Sequence, residues 1–418
     1  MTTILLFTFY SFLGCYVIAR LKLFAITDLP KYSIVIYFLV KVAAGCFYGY
    51  IHSKSIYYPS KIDTWKFFFE SKNETQILLN NPLAFLQHLF GNGYYKVDSN
   101  FLHTTNNYFN DLKYNVMIGL MSIFNVASGS NYYINIIFYN FIGMFGVVAF
   151  YKFCNLYFAK QNKYFSVIAL CIPSFIFWSS GFHKEGLLFT AIAILLYSCS
   201  KYVQYKAHYK YVIAIVVSVF TLLILRSYLL LFLVPFLSIF IFLHYFFTRR
   251  FLLFYGLGII VFMYGFFTVG KIIPQLNVPM ITVKAQQEFV ALQASTALKV
   301  DSLQPSPASF INLLPSSINI AFMQPSLTNS SLTYVPSIIE NFALLALLSI
   351  TLFYYNSNAK GKAASMLLII FSVFTLLFLG YTVPIAGAIV RYKSILLPFL
   401  IVAICQYISI AKLATPKT

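Results

Sequence analysis

The sequence has very little charge for its length, and acidic residues are especially scarce. Only 9% of its 418 residues are charged, with 10 Asp or Glu against 29 Lys or Arg. Soluble domains usually carry about 25% charged residues, so this composition excludes an ordinary soluble fold. Because a charge inside a membrane is costly, the few carboxylates become the first candidates for function.

Several functional classes lack their usual signatures. The six cysteines lie in or at the ends of apolar runs, which argues against a disulfide framework or a thiolate metal site. No P-loop or dinucleotide-binding glycine motif is present, so we expect no nucleotide. The histidines show no metal-ligand spacing, and we predict no cofactor. The one alternative is a divalent metal at His103 with Asp98 and Asp111.

What the sequence does have is long apolar runs. Apolar residues make up 60% of the chain, and about 20 of them in a row cross a bilayer. We predict an all-α, polytopic membrane bundle of about 11 transmembrane helices (10–12), forming a single transmembrane domain over residues 1–418. The first run lacks a basic leader and is expected to be a retained helix. The predicted spans are residues 4–21, 33–51, 132–153, 164–178, 186–202, 211–225, 228–247, 251–270, 336–353, 363–380 and 395–411.

Residues 211–247 are too long for one crossing. They number 37 and contain a single charge, and as one helix they would reach about 55 Å, nearly twice the thickness of the hydrocarbon layer. We therefore predict a helical hairpin with Arg226 and Ser227 at its turn.

Basic residues in short loops set the predicted orientation, because such loops stay cytoplasmic. The N-terminus is then outside and the C-terminus cytoplasmic. Residues 52–131 and 271–335 become long outer loops. Residues 114–126 are predicted to form a re-entrant or interfacial helix, since a crossing there would reverse every later loop. The basic groups are Arg20, Lys22 and Lys31; Lys160 and Lys163; Lys201, Lys206 and Lys210; Arg249 and Arg250; Lys360 and Lys362; Lys412 and Lys417.

Charged residues of the predicted outer face form the candidate site. A carboxylate can take a proton from an acceptor hydroxyl, while Lys and Arg can neutralise a phosphate leaving group. That combination suits transfer of a sugar from a lipid phosphate. The predicted catalytic residues are Asp63 and Glu185. The predicted phosphate or substrate contacts are His183, Lys184, Arg226, Arg391 and Lys393.

Each of these residues also has a structural interpretation. Lys184 and Glu185 could simply pair with each other in a turn, with Glu185 stabilising the start of the next helix. Asp63 could be a solvated loop residue. Arg226 and Arg391 could extend to lipid headgroups without any further role.

Four short segments carry a resemblance to a known group of proteins. They are YYPSKIDTW (57–65), FWSSGFHKEG (177–186), FMQPSLTNSSLTYVPSIIENFALL (322–345) and GAIVRYKSILLPFL (387–400). Their order resembles that in bacterial envelope-polysaccharide membrane proteins related to GT-C superfamily glycosyltransferases and O-antigen polymerases. In that group an Asp lies in the first outer loop, a W-x-S-G-x-x-K-[DE] turn follows, and R-Y-[RK] precedes the last span.

The resemblance implies an enzyme of the bacterial inner (plasma) membrane that takes a lipid-linked sugar donor and a saccharide acceptor. It carries Asp63 over as the acceptor-activating base, Lys184 with Glu185 as the turn pair, and Arg391 with Lys393 as phosphate contacts. One position departs from the group's pattern, because Gln324 stands where the group has Arg.

Two other functional classes remain open at this point. A flippase or exporter of lipid-linked saccharides would need charges at mid-depth, as Lys41 in the second span could supply, together with inverted repeats. A non-catalytic scaffold would have no deep cavity among the charged residues. In each case the expected partners are membrane lipids and saccharides, not nucleic acid.

Overall fold

The structure, a computed structural model, is helical throughout the residues that it describes. These are residues 2–26, 29–54, 62–91, 108–159, 163–205, 208–246, 250–292, 294–326 and 334–409. Within them only two isolated β-bridges occur and no strand. The predicted all-α class is confirmed.

Nineteen α-helices lie in these residues. The first ten are α1 (Thr2–Arg20), α2 (Lys31–Ser53), α3 (Asp63–Asn80), α4 (Pro82–Phe90), α5 (Tyr108–Ser128), α6 (Tyr132–Tyr157), α7 (Lys163–Leu170), α8 (Pro173–Ser180), α9 (Lys184–Tyr205) and α10 (Tyr209–Arg226). The others are α11 (Tyr228–Tyr245), α12 (Phe251–Ile272), α13 (Val278–Ala291), α14 (Pro307–Asn312), α15 (Leu314–Ile318), α16 (Val335–Phe353), α17 (Lys362–Thr382), α18 (Ala386–Ser394) and α19 (Leu397–Cys405).

Nine helices in the described part are long and apolar enough to cross a membrane, the pattern of a multi-pass membrane protein. They are α1, α2, α6, α9, α10, α11, α12, α16 and α17. A tenth span is possible if α18 and α19, which meet at a bend of 58°, count as one. All nine coincide with predicted spans. The α10–α11 hairpin is also confirmed, with Ser227 between its helices.

The other two predicted spans are interrupted. A single helix over residues 164–178 was wrong: α7 ends at Leu170, and α8 begins at Pro173. Proline disfavours continuation of a helix, because it lacks the backbone N–H and its ring clashes with the preceding turn, and Pro173 stands here at the start of the new helix. The predicted span over residues 395–411 is also shorter, since α19 has nine residues and ends at Cys405.

The two predicted outer loops contain helices where the structure describes them. Residues 52–131 include α3, α4 and α5, and residues 271–335 include α13, α14 and α15. Helix α5 has 21 residues but is not one of the nine apolar spans. A buried polar contact holds it against α3, because the Asn125 amide donates to the hydroxyls of Ser71 (2.8 Å) and Thr75 (3.1 Å).

Helices α6 and α9 form the buried centre of the bundle. They approach closely at Gly146, where an added Cβ would lie 2.5 Å from the Cα of Thr190. Helix α3 is fixed to this centre at its start, since the hydroxyls of Thr64 and Tyr132 are 2.7 Å apart and the Trp65 indole donates to the Gly49 carbonyl at 3.1 Å. The first turns of α3 and α9 are thereby held near each other.

Candidate functional site

Six helices bring charged residues to one cavity. The first turns of α3 and α9, the last turn of α10 and the helix α18 surround a volume of about 340 Å³, which we call the charged cavity. Helices α5 and α13 also contribute to its wall. Its charged lining residues are Asp63, Lys113, Lys184, Arg226, Glu288 and Arg391.

Glu185 lies beneath the cavity and organises its arginines. Its Oε1 accepts hydrogen bonds from Arg226 Nη2 and Arg391 Nε, each at 2.8 Å. Its side chain has no exposed surface, and Oε2 has no hydrogen-bond partner among the residues that the structure describes. The alternative pairing of Lys184 with Glu185 is wrong, because Glu185 pairs with the two arginines. Glu185 was expected to act on substrate, yet its carboxylate does not line the cavity.

Arg391 joins the buried carboxylate to the accessible one. Its Nη1 donates to Asp63 Oδ2 at 3.0 Å while its Nε contacts Glu185. The Asp63 side chain is 51% exposed and the Arg391 side chain 16%. Burial raises the pKa of Asp63, but the adjacent Arg391 guanidinium and the neighbouring Lys184 outweigh this, so the pKa lies below its usual value. Asp63 is therefore ionised at neutral pH.

Lys184 lines the cavity near Asp63 but forms no direct ion pair with it. Its ammonium lies 5.9 Å from the centre of the Phe67 ring, and it has no hydrogen bond or ion pair within the described residues. Arg226 differs, because it pairs with Glu185 and lies over the Tyr392 ring at 3.8 Å. A lysine that lines an open volume without a direct ion pair can bind an anion, and a phosphate group has suitable charge and size.

His183 does not line the cavity, contrary to the predicted substrate contact. Its ring is buried, 4.7 Å from the Tyr48 ring and 5.9 Å from the Trp178 ring. Neither ring nitrogen has a hydrogen-bond partner within the described residues. Burial, together with the positive charge of Arg391, lowers the pKa of His183 to about 3. A neutral, buried imidazole provides no charge for binding phosphate.

Lys393 is also absent from the cavity, contrary to the predicted phosphate contact. Residues two apart on an α-helix point about 200° apart, so Lys393 and Arg391 lie on opposite faces of α18. The Lys393 ammonium donates to the Gln324 carbonyl at 2.7 Å and to Asn341 Oδ1 at 2.6 Å. It is 2% exposed.

Two cavity residues were missed by the sequence analysis. Lys113 of α5 and Glu288 of α13 line the cavity from the two segments predicted as outer loops. Burial lowers the pKa of Lys113 to about 8, and the charge of Arg226 adds to this effect, against the opposing effects of Asp63 and Glu288. No motif marks either residue. The sequence offered one signal for them, namely that both are charged residues in segments predicted to lie on the outer face.

Lys41, the candidate for a transport path, is satisfied inside the bundle. Its ammonium donates to the hydroxyls of Ser179 (2.6 Å) and Ser180 (3.1 Å), and the residue is 1% exposed. Lys41 lines neither the charged cavity nor three other cavities formed by the described residues. The geometry therefore favours internal hydrogen bonding over exposure to a path.

A metal site is not formed by the described residues, which contain no group of three His, Cys, Asp or Glu side chains able to hold an ion. Two of the three predicted ligands, His103 and Asp98, lie outside the described residues.

Comparison of the chain with models of protein families, with characterised proteins and with solved structures gives no significant match.

Proposed function

We propose that this chain is a membrane glycosyltransferase or polymerase that uses polyprenyl-phosphate-linked sugars at the outer face of the bacterial inner membrane, in envelope polysaccharide biosynthesis. One observation carries the proposal: Arg391 bridges an accessible ionised carboxylate, Asp63, and a buried one, Glu185, in a cavity where Lys184 forms no direct ion pair with any described residue. A base and a phosphate-binding group are thereby available to the same substrate complex. The N-terminus lies outside and the C-terminus in the cytoplasm.

Sugar transfer in this cavity needs one proton acceptor and one anion site. Asp63 accepts the proton of the acceptor hydroxyl as that oxygen forms a bond to the anomeric carbon. The bond between the anomeric carbon and the lipid-phosphate oxygen breaks, and its electron pair leaves with the phosphate. Lys184 and Arg391 stabilise the charge that develops on this leaving group. The proton on Asp63 then passes to water, which restores the carboxylate.

Glu185 and Arg226 act as positioning residues in this scheme. Glu185 is buried and directs Arg391 towards Asp63, and Arg226 supports the same carboxylate from α10. Fixing charged groups before the substrate arrives lowers the cost of reorganising them in the transition state. We therefore assign the proton transfer to Asp63 alone.

Substitutions at two cavity residues test the proposal in cells. Asp63→Asn removes the base, and loss of general-base catalysis typically costs about 10²–10⁴-fold in rate. Arg391→Lys keeps the charge but loses the two-sided contact with Asp63 and Glu185, and we expect a loss on the order of 10²-fold. The measurement is the amount of polysaccharide product per inserted protein, with lipid-linked intermediates quantified in the same strains.

Glu70→Gln is the matched control, because Glu70 lies on the same helix as Asp63 and contacts Lys66 at 4.0 Å, away from the cavity. We expect wild-type product from this variant. Complete repeat units accumulating on the lipid would identify a polymerase, and a missing sugar a single-sugar transferase. Normal product from both Asp63→Asn and Arg391→Lys would overturn the enzyme proposal.

A further inference from the structure

An apolar groove adjoins the charged cavity. It lies between α11 and α12, has a volume of about 630 Å³ and is lined almost entirely by apolar side chains. Ser227, Tyr228, Ile281 and Phe378 line both the groove and the charged cavity. The turn of the α10–α11 hairpin is thus the boundary between a polar and an apolar volume.

A second apolar cavity adjoins the groove. Phe262, Phe266 and Phe378 also line a further apolar cavity of about 210 Å³, whose other walls come from α14 and α17. The groove therefore adjoins both the charged cavity and the further cavity, and Phe378 lines all three. A ligand that fills all three has an anionic head and one long apolar chain.

We propose that the groove binds the isoprenoid chain of a long-chain prenyl phosphate whose phosphate lies in the charged cavity. This inference rests on the proposed function and adds where the lipid lies and how it enters. Lys184 and Arg391, which both line the charged cavity, attract the phosphate. Burial of the chain against Leu257, Val261 and Phe262 removes apolar surface from its surroundings and fixes the orientation of the head. The lipid enters sideways from the bilayer, between α11 and α12.

Gly265 leaves open space at the wall of the groove, whereas at Gly258 an added Cβ would clash with Cδ1 of Ile239 on α11. Gly258 and Gly265 both line the groove, and their spacing of seven residues places them on one face of α12. At Gly265 an added Cβ would meet just one atom within 4 Å, Cγ2 of Val269 at 3.8 Å. A larger side chain there would fit the helix and occupy the groove. An added Cβ at Gly256 on the same helix would have no neighbour within 4 Å, and Gly256 does not line the groove.

Photolabelling of the full-length protein in lipid nanodiscs tests this inference. The probe is a long-chain polyprenyl phosphate with a diazirine in its chain, and the labelled peptides are mapped by mass spectrometry. We expect labels on α11 and α12, reduced about tenfold by Gly265→Leu, since a factor of ten corresponds to a modest loss of binding free energy. Gly256→Leu is the matched control and should label like the wild type. Val261→Phe, which adds bulk at an exposed groove position, provides a second variant.

Competition experiments identify the chemistry of the occupant. Unlabelled polyprenyl phosphate should compete with the probe, and inorganic phosphate should not. Phosphatidic acid, which has the same phosphate head but two acyl chains, should compete at least about tenfold less well. Equal competition by phosphatidic acid, or labelling that is unchanged in both Gly265→Leu and Val261→Phe, would overturn the inference.

The Asp63→Asn variant separates the groove from the proposed reaction. We expect it to lose polysaccharide product and to retain labelling, because Asp63 acts on the acceptor. Labelling that depends on Gly265 combined with normal product from Asp63→Asn would refute the transferase and leave the lipid site standing. The opposite pair of results would refute the groove and leave the transferase standing.

Discussion

The two faces of α18 hold buried cations in different surroundings. On one face, Arg391 contacts two carboxylates and borders a cavity of about 340 Å³. On the other face, Lys393 donates to the neutral oxygens of Gln324 and Asn341. It lines neither the charged cavity nor three other cavities formed by the described residues. Both side chains are largely shielded from solvent.

The difference separates a site from a structural contact. Lys393 uses short hydrogen bonds to hold the segment around Gln324 and the helix α16 against α18, and it does not line the charged cavity. Arg391 has carboxylate partners and also adjoins open space, so a ligand can change its interactions. Burial alone does not distinguish the two, and the presence of accessible volume does.

The largest expected effect concerns the carboxylate beneath the charged cavity. Glu185→Gln leaves Arg226 without its carboxylate partner and Arg391 with Asp63 alone, and removing one partner of a buried ion pair typically costs about 3–5 kcal/mol. We expect a correspondingly lower thermal unfolding midpoint for the purified variant in nanodiscs. Glu74→Gln is the control, because Glu74 contacts only the partly exposed His88, at 3.2 Å, and surface pairs contribute about 0–1 kcal/mol. Equal stability of both variants would show that Glu185 is not the anchor of the arginines.

The apolar pattern of the sequence was enough to predict nine spans and the turn at Ser227, because a bilayer demands long helices with few charges. Two further features were readable but missed. Pro173 interrupts the predicted span over residues 164–178, and the spacing of Arg391 and Lys393 places them on opposite helix faces.

Other features of the site depend on tertiary structure. The pairing of Glu185 with arginines 41 and 206 residues away follows from how α9, α10 and α18 meet, and no local pattern encodes it. The same holds for Lys113 and Glu288, which reach the cavity from segments without a recognisable motif. Long-range contacts of this kind require the folded arrangement of the helices.

A smaller effect is expected on the opposite face of α18. Lys393→Met keeps the length of the side chain but leaves the Gln324 carbonyl and Asn341 Oδ1 without their donor, and an unsatisfied buried group costs about 1–3 kcal/mol. We expect a lower unfolding midpoint and less inserted protein, with unchanged product per inserted molecule. Loss of product per molecule comparable to that of Arg391→Lys would remove the distinction between the two faces.

The smallest expected effect is a pH dependence of donor binding through Lys113. Around its ammonium, α3 contributes Asp63, α9 Lys184, α10 Arg226 and α13 Glu288. Because burial lowers the pKa of Lys113 to about 8, its positive charge is present below that pH and is lost as the pH rises through it.

An anionic donor should therefore bind less tightly at high pH. We expect its KM to rise about 3- to 10-fold between pH 7 and pH 9, as one cation of the charged cavity is neutralised. In Lys113→Gln the KM should already be raised at pH 7 and should rise less than in the wild type up to pH 9. Lys66→Gln, at an exposed position of α3 outside the cavity lining, should keep the wild-type profile. If KM rises with pH in Lys113→Gln as much as in the wild type, the pH dependence belongs to another group. Lys113 would then make no contribution to the pH dependence of donor binding.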